Sequence, residues 1–156
     1  MAIRVAVGSD HGGFPLKKTV LDFVKAQGFE VLDLGTNSEE ACDYPDFAEA
    51  VGKAIVNGDA ELGIVLCGSG VGVSVAANKI PGIRAGVCHD TFSARQCRED
   101  DDVNVLCMGA RVIGSELAKD VMKAFLDAKF SGAERHRRRL QKVLKIEQEN
   151  LLQKTK

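Results

Sequence analysis

The segment Leu62-Gly63-Ile64-Val65-Leu66-Cys67-Gly68-Ser69-Gly70-Val71-Gly72-Val73 decides the fold of this chain. It opens with a short apolar run, Leu62 to Leu66, which is typical of a strand that is buried on both faces. Residues 71–79 have the composition of a helix, and the three glycines in between carry no Cβ and allow a sharp turn. A buried strand, a tight turn and a helix form the repeating unit of parallel α/β folds.

The glycine-rich turn places a thiol beside a potential anion site. Cys67 stands at the tip of the predicted strand, and the backbone N–H groups of Gly68, Gly70 and Gly72 come just before or within the start of the predicted helix. A helix N-terminus favours negative charge, so this position suits both an anionic ligand and the thiolate of a cysteine. We therefore predict a proton acceptor, Cys67, next to a cradle for a developing oxyanion.

Other kinds of glycine-rich site fit this segment less well. A phosphate-binding P-loop needs a Lys followed by Ser or Thr after its last glycine, but Gly72 is followed by Val73 and Ser74. A cysteine phosphatase needs an arginine at the end of its loop, and residues 68–77 contain none. Two alternatives stay open: a dinucleotide site, whose third glycine is replaced by Val73, and a buried structural cysteine in a tight turn.

Composition and charge indicate a single soluble domain, residues 1–156. The chain is 45% hydrophobic and 28% charged, and its formal net charge of −1 gives no general attraction to nucleic acid or to an acidic membrane surface. Its 5 cysteines lack C-x-x-C spacing, so we expect reduced thiols in the cytoplasm and no metal site. We find no signal peptide and no run that could span a membrane.

Strand and helix patterns alternate along the chain, which predicts a parallel sheet with helices on both faces. Strands are predicted at 3–7, 30–34, 62–66, 84–87 and 103–108, and helices at 14–27, 45–57, 71–79, 91–99 and 115–130. The predicted buried stripes are Phe14, Leu16, Val20, Leu21, Phe23 and Val24 on the first helix, and Leu117, Val121, Phe125 and Leu126 on the last of these helices.

Polar residues follow several of these strands. In parallel sheets, ligands bind beyond the carboxyl ends of the strands, near the point where the strand order reverses. Those ends carry Asp10 with His11, then Cys67, His89 and Arg111. Each has an ordinary explanation when taken alone, such as a helix cap for Asp10 or a surface ion pair for Arg111. Together they predict a functional rim at one edge of the sheet.

The C-terminal part of the chain predicts a charged helix with an apolar seam. The basic run Arg135-His136-Arg137-Arg138-Arg139 is followed by apolar residues at Leu140, Val143, Leu144, Ile146 and Leu151. We expect such a helix to find little left to pack against in its own chain, so residues 131–156 are predicted to form a dimerisation arm on a second subunit. Arg135 and Arg139, four residues apart, would there bind a phosphate group, and nucleic acid is a weak expectation.

These motifs together resemble the ribose-5-phosphate isomerase B family, which also includes the subunits of galactose-6-phosphate isomerase. The resemblance covers nearly the whole chain. It implies a Rossmann-like three-layer α/β/α sandwich with a five-stranded parallel sheet, and a homodimer or dimer of dimers that exchanges its C-terminal helix. It also implies an active site between subunits that needs no metal or organic cofactor. The matching motifs are 8–13, 43–45, 67–72, 76–79, 82–85, 104–106, 109–114, Arg135, His136 and Arg139.

The resemblance further implies the isomerisation of an aldose phosphate to a ketose phosphate through an enediolate. Cys67 resembles the base, Ser69 would assist it, and the backbone of Gly68, Gly70, Val71 and Gly72 resembles the oxyanion cradle. Asp10, Tyr44 and His136 resemble residues that contact the sugar, whereas His11, Arg111, and Arg135 and Arg139 from the neighbouring subunit resemble a phosphate clamp.

One segment departs from the family pattern. Asp100 stands where well-studied members have the histidine that opens the furanose ring, and Asp101 replaces an asparagine at a predicted substrate-binding position. A carboxylate can accept the ring hydroxyl's proton but is a poor donor at neutral pH. Either Asp100, His89 or His136 opens the ring, or the substrate needs no opening, as for a four-carbon sugar phosphate.

Ribose 5-phosphate and ribulose 5-phosphate remain the expected substrate pair. The alternatives are the isomerisation of a tetrose 4-phosphate, allose 6-phosphate or galactose 6-phosphate, or a non-catalytic subunit that binds a sugar phosphate.

Overall fold

The computed structural model of the protein describes residues 2–152, so the last residues of the predicted dimerisation arm, 153–156, lie outside the described residues. Strands and helices alternate through most of the chain and end in one long helix. In chain order they are β1 Arg4–Ser9, α1 Phe14–Ala26, β2 Glu30–Asp33, α2 Tyr44–Val56, β3 Leu62–Cys67, α3 Val71–Ala77, β4 Ala85–Val87, α4 Thr91–Asp101, β5 Val105–Gly109, α5 Ser115–Asp127 and α6 Glu134–Leu152.

The five strands form one parallel sheet in the order β2-β1-β3-β5-β4. The central strand β3 is buried at every position, as its continuous apolar run predicts. From β1 the chain moves outward to β2 and then crosses to β3 on the other side. The strand order therefore reverses between β1 and β3, and a ligand crevice is expected at their carboxyl ends.

Two hydrophobic clusters, one on each face of the sheet, confirm the predicted three-layer α/β/α sandwich. Alternate residues of β3 point to opposite faces. Ile64 and Leu66 pack into the cluster that includes residues of α1, α4 and α5, whereas Val65 and Cys67 pack into the cluster that includes residues of α2 and α3. The side chain of Cys67 therefore belongs to the α2 and α3 face of the sheet.

The buried stripes of α1 and α5 differ in part from the prediction. Leu117 is 41% exposed, so its assignment to the core was wrong. The spacing of Ala118, Val121, Met122 and Phe125 places those four side chains on one face of α5, and all four are fully buried, whereas Leu117 falls outside that stripe. On α1, Leu16, Val20 and Val24 are buried as predicted, while Phe14, Leu21 and Phe23 are half-buried.

The acidic run before β5 is more helical than predicted. Helix α4 extends to Asp101, so Asp100 and Asp101 belong to its last turn, and β5 begins only at Val105. Asp102 ends the helix with a φ of 49°, in the left-handed region. Arg84 stabilises this turn by donating from Nε and Nη2 to the Asp102 carbonyl oxygen at 3.0 and 2.8 Å.

A buried lysine anchors the loop between β2 and α2. The side chain of Lys17 is 5% exposed, and its Nζ lies 2.9 Å from Asp33 Oδ2. It also donates to the Thr36 carbonyl at 2.8 Å and to Asn37 Oδ1 at 3.1 Å. Each of the three ammonium protons thus has an acceptor, which is how a buried charge becomes tolerable. Lys17 therefore fixes the start of the loop that leads to Tyr44.

Replacing this lysine tests its structural role. We expect Lys17→Met to lower the free energy of unfolding by about 1–3 kcal/mol, because the loop acceptors lose their donor. Lys18→Met is the matched control. Lys18 is 88% exposed, and its one ion pair within residues 2–152 is with exposed Asp22, so the variant should change stability by about 0.5 kcal/mol or less. Urea unfolding at pH 7 measures both, and equal effects of the two variants would contradict the assignment.

Candidate active site

A cavity of about 400 Å³ opens at the carboxyl ends of β1 and β3, where the strand order reverses. It is the place where parallel α/β sheets bind ligands. The structure brings together residues that lie far apart in the sequence. The lining consists of Asp10, Tyr44, Cys67, Gly68, Ser69, Gly72, Arg111 and Val112, of which only Val112 was not predicted as a site residue.

Cys67 is the last residue of β3, and the turn that follows it wraps around its sulfur. The residue is 5% exposed and its side chain contributes to the lining of the cavity. The Gly70 N–H donates to Sγ at 3.1 Å. The Ser69 hydroxyl oxygen lies 4.0 Å from Sγ and accepts the Val71 N–H at 3.1 Å. The alternative of a purely structural cysteine is therefore disfavoured, because this thiol borders a cavity and accepts a hydrogen bond.

The turn requires glycine because it rests directly on the end of β5. Gly70 has a φ of 80°, and a Cβ there would lie 2.9 Å from the Met108 carbonyl carbon. A Cβ on Gly109 would lie 2.5 Å from the Ser69 carbonyl carbon. Real Cβ atoms do not approach backbone this closely, so both positions need glycine for steric reasons.

Asp10 is held by the turn that precedes α1. Its Oδ1 accepts the Gly13 N–H at 3.0 Å. Gly13 is itself the N-cap residue of α1, and no side chain among the described residues caps this helix, so the helix-cap explanation of Asp10 was wrong. Asp10 is 6% exposed and lines the cavity, and the bond to Gly13 fixes its carboxylate there.

Arg111 supplies positive charge to the cavity. Its guanidinium lies over Gly68, because a Cβ added to that glycine would meet Nη1 at 3.0 Å. Its backbone N–H donates to the Gly68 carbonyl at 3.1 Å. The ion pairs within residues 2–152 do not include Arg111, so the surface ion-pair explanation finds no support there. This cation is available to an anionic ligand.

His11 follows Asp10 but is not part of the cavity lining. The Cys42 N–H donates to its Nδ1 at 3.2 Å. Because Nδ1 acts as an acceptor, the neutral ring carries its proton on Nε2, which leaves one N–H donor at the far side of the ring. This contact also ties the loop between β2 and α2 to the end of β1.

Asp100 and His136 form a second cluster, at the junction of α4 and α6. His136 is 6% exposed, and its Nε2 lies 3.3 Å from Asp100 Oδ1. Its Nδ1 lies 2.5 Å from the Ser131 hydroxyl, and Gln96 donates to the other oxygen of Asp100 at 2.8 Å. Neither Asp100 nor His136 is among the residues of the same chain that line the Cys67 cavity.

Helix α6 packs little against its own chain, as predicted. His136, at its start, is buried against Asp100, and Glu147 accepts the Gly82 N–H at 3.2 Å. Farther along the helix, Val143, Ile146 and Leu151 are exposed, so much of its apolar seam is uncovered within one chain. Arg135, Arg139 and Asp101 are exposed and lie outside the cavity lining. The exchange of α6 between subunits stays a prediction.

The remaining thiols differ from Cys67 in their surroundings. Burial raises the pKa of Cys107, which is fully buried. Cys88 and Cys97 lie with their sulfur atoms 4.0 Å apart, and this hydrogen bond raises the pKa of Cys97 and lowers that of Cys88. Neither of these two thiols lines the Cys67 cavity.

The described residues contain neither a metal-binding cluster nor a membrane-spanning helix. Residues 2–152 contain no group of three or more His, Cys, Asp or Glu side chains that could hold a metal ion. In the same part of the chain, no helix has the length and apolar character needed to cross a membrane.

Comparison with known proteins gives concordant results. A sequence model of the family described as Ribose/Galactose Isomerase matches residues 5–143. The chain is 46% identical to "Ribose-5-phosphate isomerase B" of Escherichia coli over 145 residues, 93% of this chain and 97% of the other. It is 43% identical to "D-erythrulose-4-phosphate isomerase" of Pectobacterium atrosepticum over 131 residues, 83% and 86% of the two chains. The solved structure of Clostridium thermocellum ribose-5-phosphate isomerase B has a TM-score of 0.92 and 47% identity, over 95% of this chain and 99% of the other.

Two glycine variants separate steric contact from backbone strain. Gly28 and Gly70 both have positive φ, but only Gly70 has backbone within 4 Å of an added Cβ. We expect Gly28→Ala to lower the free energy of unfolding by about 1 kcal/mol, the cost of a left-handed alanine. Gly70→Ala should cost about 1–3 kcal/mol more, because its Cβ meets the end of β5. Urea unfolding measures the difference, and similar losses in both variants would contradict the contact.

Proposed function

Since the chain belongs to the ribose/galactose isomerase family and is therefore a sugar-phosphate isomerase, we propose that it interconverts ribose 5-phosphate and ribulose 5-phosphate with Cys67 as the base. The observation that carries this proposal is the Cys67 thiol, which borders a cavity, accepts the Gly70 N–H at 3.1 Å and shares that cavity with Arg111. The name of the Escherichia coli relative supports the choice of substrate.

The proposed chemistry is a proton transfer between adjacent carbons. The Cys67 thiolate takes the proton from C2 of the open-chain aldose, and the electrons of the broken C–H bond form the C1=C2 bond of an enediolate. The negative charge collects on O1. The thiol then returns the proton to C1 while the proton of the O2 hydroxyl passes to O1, which gives the ketose and regenerates the thiolate. The hydrogen bond from Gly70 stabilises the thiolate that begins this sequence.

The turn offers fewer donors to the enediolate than its sequence suggested. The Gly70 N–H donates to sulfur and the Val71 N–H donates to the Ser69 hydroxyl. This leaves the N–H groups of Gly68, Ser69 and Gly72, which have no acceptor among the described residues. We assign the oxyanion cradle to these three groups of the turn that borders the sulfur.

The other end of the substrate requires cations for its phosphate. Arg111 lines the cavity, and we propose that His11, whose Nε2–H is left free by the bond to Nδ1, joins it at the phosphate. We propose that Arg135 and Arg139 of a second subunit complete this clamp in a homodimer. Both arginines are exposed on the first turns of α6. Two guanidinium groups four residues apart suit bidentate recognition of a phosphate.

Asp10 and Tyr44 are proposed to bind the sugar hydroxyls, since both line the cavity together with Cys67. A Cβ on Gly72 would meet the Tyr44 ring at 3.0 Å, so this ring is held against the turn. In the same dimer, His136 and Asp100 are proposed to open the furanose ring. An imidazole donates and accepts protons near neutral pH, which supplies the donor that a carboxylate alone lacks.

A tetrose 4-phosphate is the second candidate substrate. Both oxygens of Asp100 already have partners, His136 at 3.3 Å and Gln96 at 2.8 Å, which disfavours direct action of this carboxylate on a ring hydroxyl. A tetrose 4-phosphate cannot form a furanose, because its fourth hydroxyl carries the phosphate, and so needs no ring opening. The name of the Pectobacterium atrosepticum relative agrees with this candidate.

Removal of the proposed base tests the mechanism. We expect Cys67→Ala to lower kcat for ribose 5-phosphate by about 10²–10⁴-fold, the usual contribution of a positioned base. Cys97→Ala is the matched control, because this thiol lies on α4 outside the cavity. Its removal affects packing and the contact with Cys88, and should leave kcat within about threefold. Turnover by Cys67→Ala close to wild type would exclude the thiol as the base.

A substrate panel distinguishes the two candidates. We expect kcat/KM to be highest for ribose 5-phosphate among ribose 5-phosphate, erythrose 4-phosphate, allose 6-phosphate and galactose 6-phosphate. Asp100→Asn should lower kcat/KM for ribose 5-phosphate by about tenfold or more, because ring opening loses its carboxylate, and leave erythrose 4-phosphate unchanged. Preference for the tetrose would replace the pentose assignment. No turnover of any sugar phosphate would favour a non-catalytic binding subunit.

A further inference from the structure

The hydrogen-bond ladder between β4 and β5 ends before β5 does. Strand β4 pairs with β5 only as far as Val87 opposite Cys107, and the Cys88 N–H donates to the Cys107 carbonyl at 3.2 Å. The chain then turns into α4, whereas β5 continues to Gly109. Gly109 is buried, so its N–H needs an acceptor on the side of β5 from which β4 has departed.

The side chain of His89 provides that acceptor. The Gly109 N–H donates to its Nε2 at 2.9 Å. An imidazole nitrogen accepts only when it is unprotonated, so the ring is neutral and carries its proton on Nδ1. Burial lowers the pKa of His89, and the nearby Asp90 carboxylate opposes this shift only in part. Asp90 is itself engaged at the start of α4, where it accepts the Ser93 N–H at 2.7 Å.

The Gly109 peptide also contacts Cys67 and the turn that follows it. Gly109 lies opposite Cys67 in the pairing of β3 with β5, and the next N–H, that of Ala110, donates to the Cys67 carbonyl at 2.9 Å. A Cβ on Gly109 would lie 2.5 Å from the backbone of Ser69. A shift of this peptide therefore moves the turn that surrounds the sulfur.

We propose that His89 is a positioning residue for the isomerisation: its neutral imidazole holds the Gly109 peptide under the Cys67 turn, and protonation of the ring releases it. This role rests on the proposed function of Cys67. It also removes His89 from the candidates for ring opening, since the nitrogen that would exchange a proton with substrate is bound to the backbone. When the ring is protonated, both nitrogens are donors and the buried Gly109 N–H loses its acceptor.

The consequence is a pH dependence of defined sign. The folded-state pKa of His89 lies below the ordinary value of about 6.5, so the stability that this contact contributes is complete above that value. It is lost as the pH falls through the lower, folded-state pKa. Over the same pH range the turn that follows Cys67 loses its position, and isomerase activity decreases as a result.

Two variants and one spectroscopic readout test the proposal. His89→Gln keeps a carbonyl acceptor that does not titrate, whereas His89→Ala keeps none. We expect His89→Ala to lower kcat about 10–100-fold at pH 7.5 with a smaller change in KM, and His89→Gln to restore most of this loss, because the misplaced turn affects the chemical step more than binding. The ratio of kcat/KM of His89→Gln to that of wild type should be constant above about pH 6.5 and rise below it, by up to about tenfold per pH unit once the pH is below the folded-state pKa of His89.

Both proteins act on the same substrate, so the effect of the substrate phosphate's own titration on kcat/KM cancels in this ratio. A ratio that stays constant with pH would overturn the proposal. If His89→Ala fails to fold, His89→Gln and wild type still give this comparison.

Nitrogen-15 NMR of the wild-type protein tests the contact without substrate. The His89 ring should show an unprotonated Nε2 at pH 7.5, and its titration should coincide with a shift of the Gly109 amide. A protonated Nε2, or a Gly109 amide that does not respond, would overturn the proposal even if the substrate assignment were correct. The converse pattern, a coupled titration without turnover of any sugar phosphate, would refute the proposed function and leave the contact intact.

Discussion

The close contact between the 68–70 turn and the end of β5 is the constraint on which the site depends. Two backbone segments meet there without room for a Cβ on Gly70 or Gly109. Because β3 and β5 are fixed by sheet pairing, this contact leaves the turn one position, folded over the Cys67 sulfur. A dense interior transmits small shifts rather than absorbing them, so the geometry around sulfur depends on the backbone of a neighbouring strand.

The walls of the cavity are held by polar contacts that replace missing sheet or helix partners. Lys17 fixes the loop after β2, the Cys42 N–H ties the same loop to His11, and Asp10 binds the turn before α1. Loops at the carboxyl edge of a sheet lack the backbone hydrogen bonds that pair one strand with the next. Each of these side chains supplies a hydrogen bond that a ladder would otherwise provide, and the site gains order without extra secondary structure.

The parts that the sequence predicted depend on local patterns. The apolar run of β3, its glycine turn and the regular alternation of strands and helices are each visible within about ten residues, and Cys67 was found from them. The contacts of Lys17, His89 and His136 were missed because their partners are 16 to 36 residues away in sequence and become neighbours only after folding. Leu117 was misplaced for a related reason, since a single residue of helical rotation decides which face it occupies.

The pairing of Asp100 with His136 changes how the departure from the family pattern is understood. A carboxylate alone can accept a proton but has none to give at neutral pH, whereas an imidazole can do both. With His136 Nε2 at 3.3 Å from Asp100, the two side chains together hold the proton donor and acceptor that one histidine would supply. The donor then belongs to α6 rather than to α4. Ring opening would therefore depend on the position of α6, the same helix that carries the two arginines proposed for the phosphate, so sugar and phosphate recognition would be linked through one element.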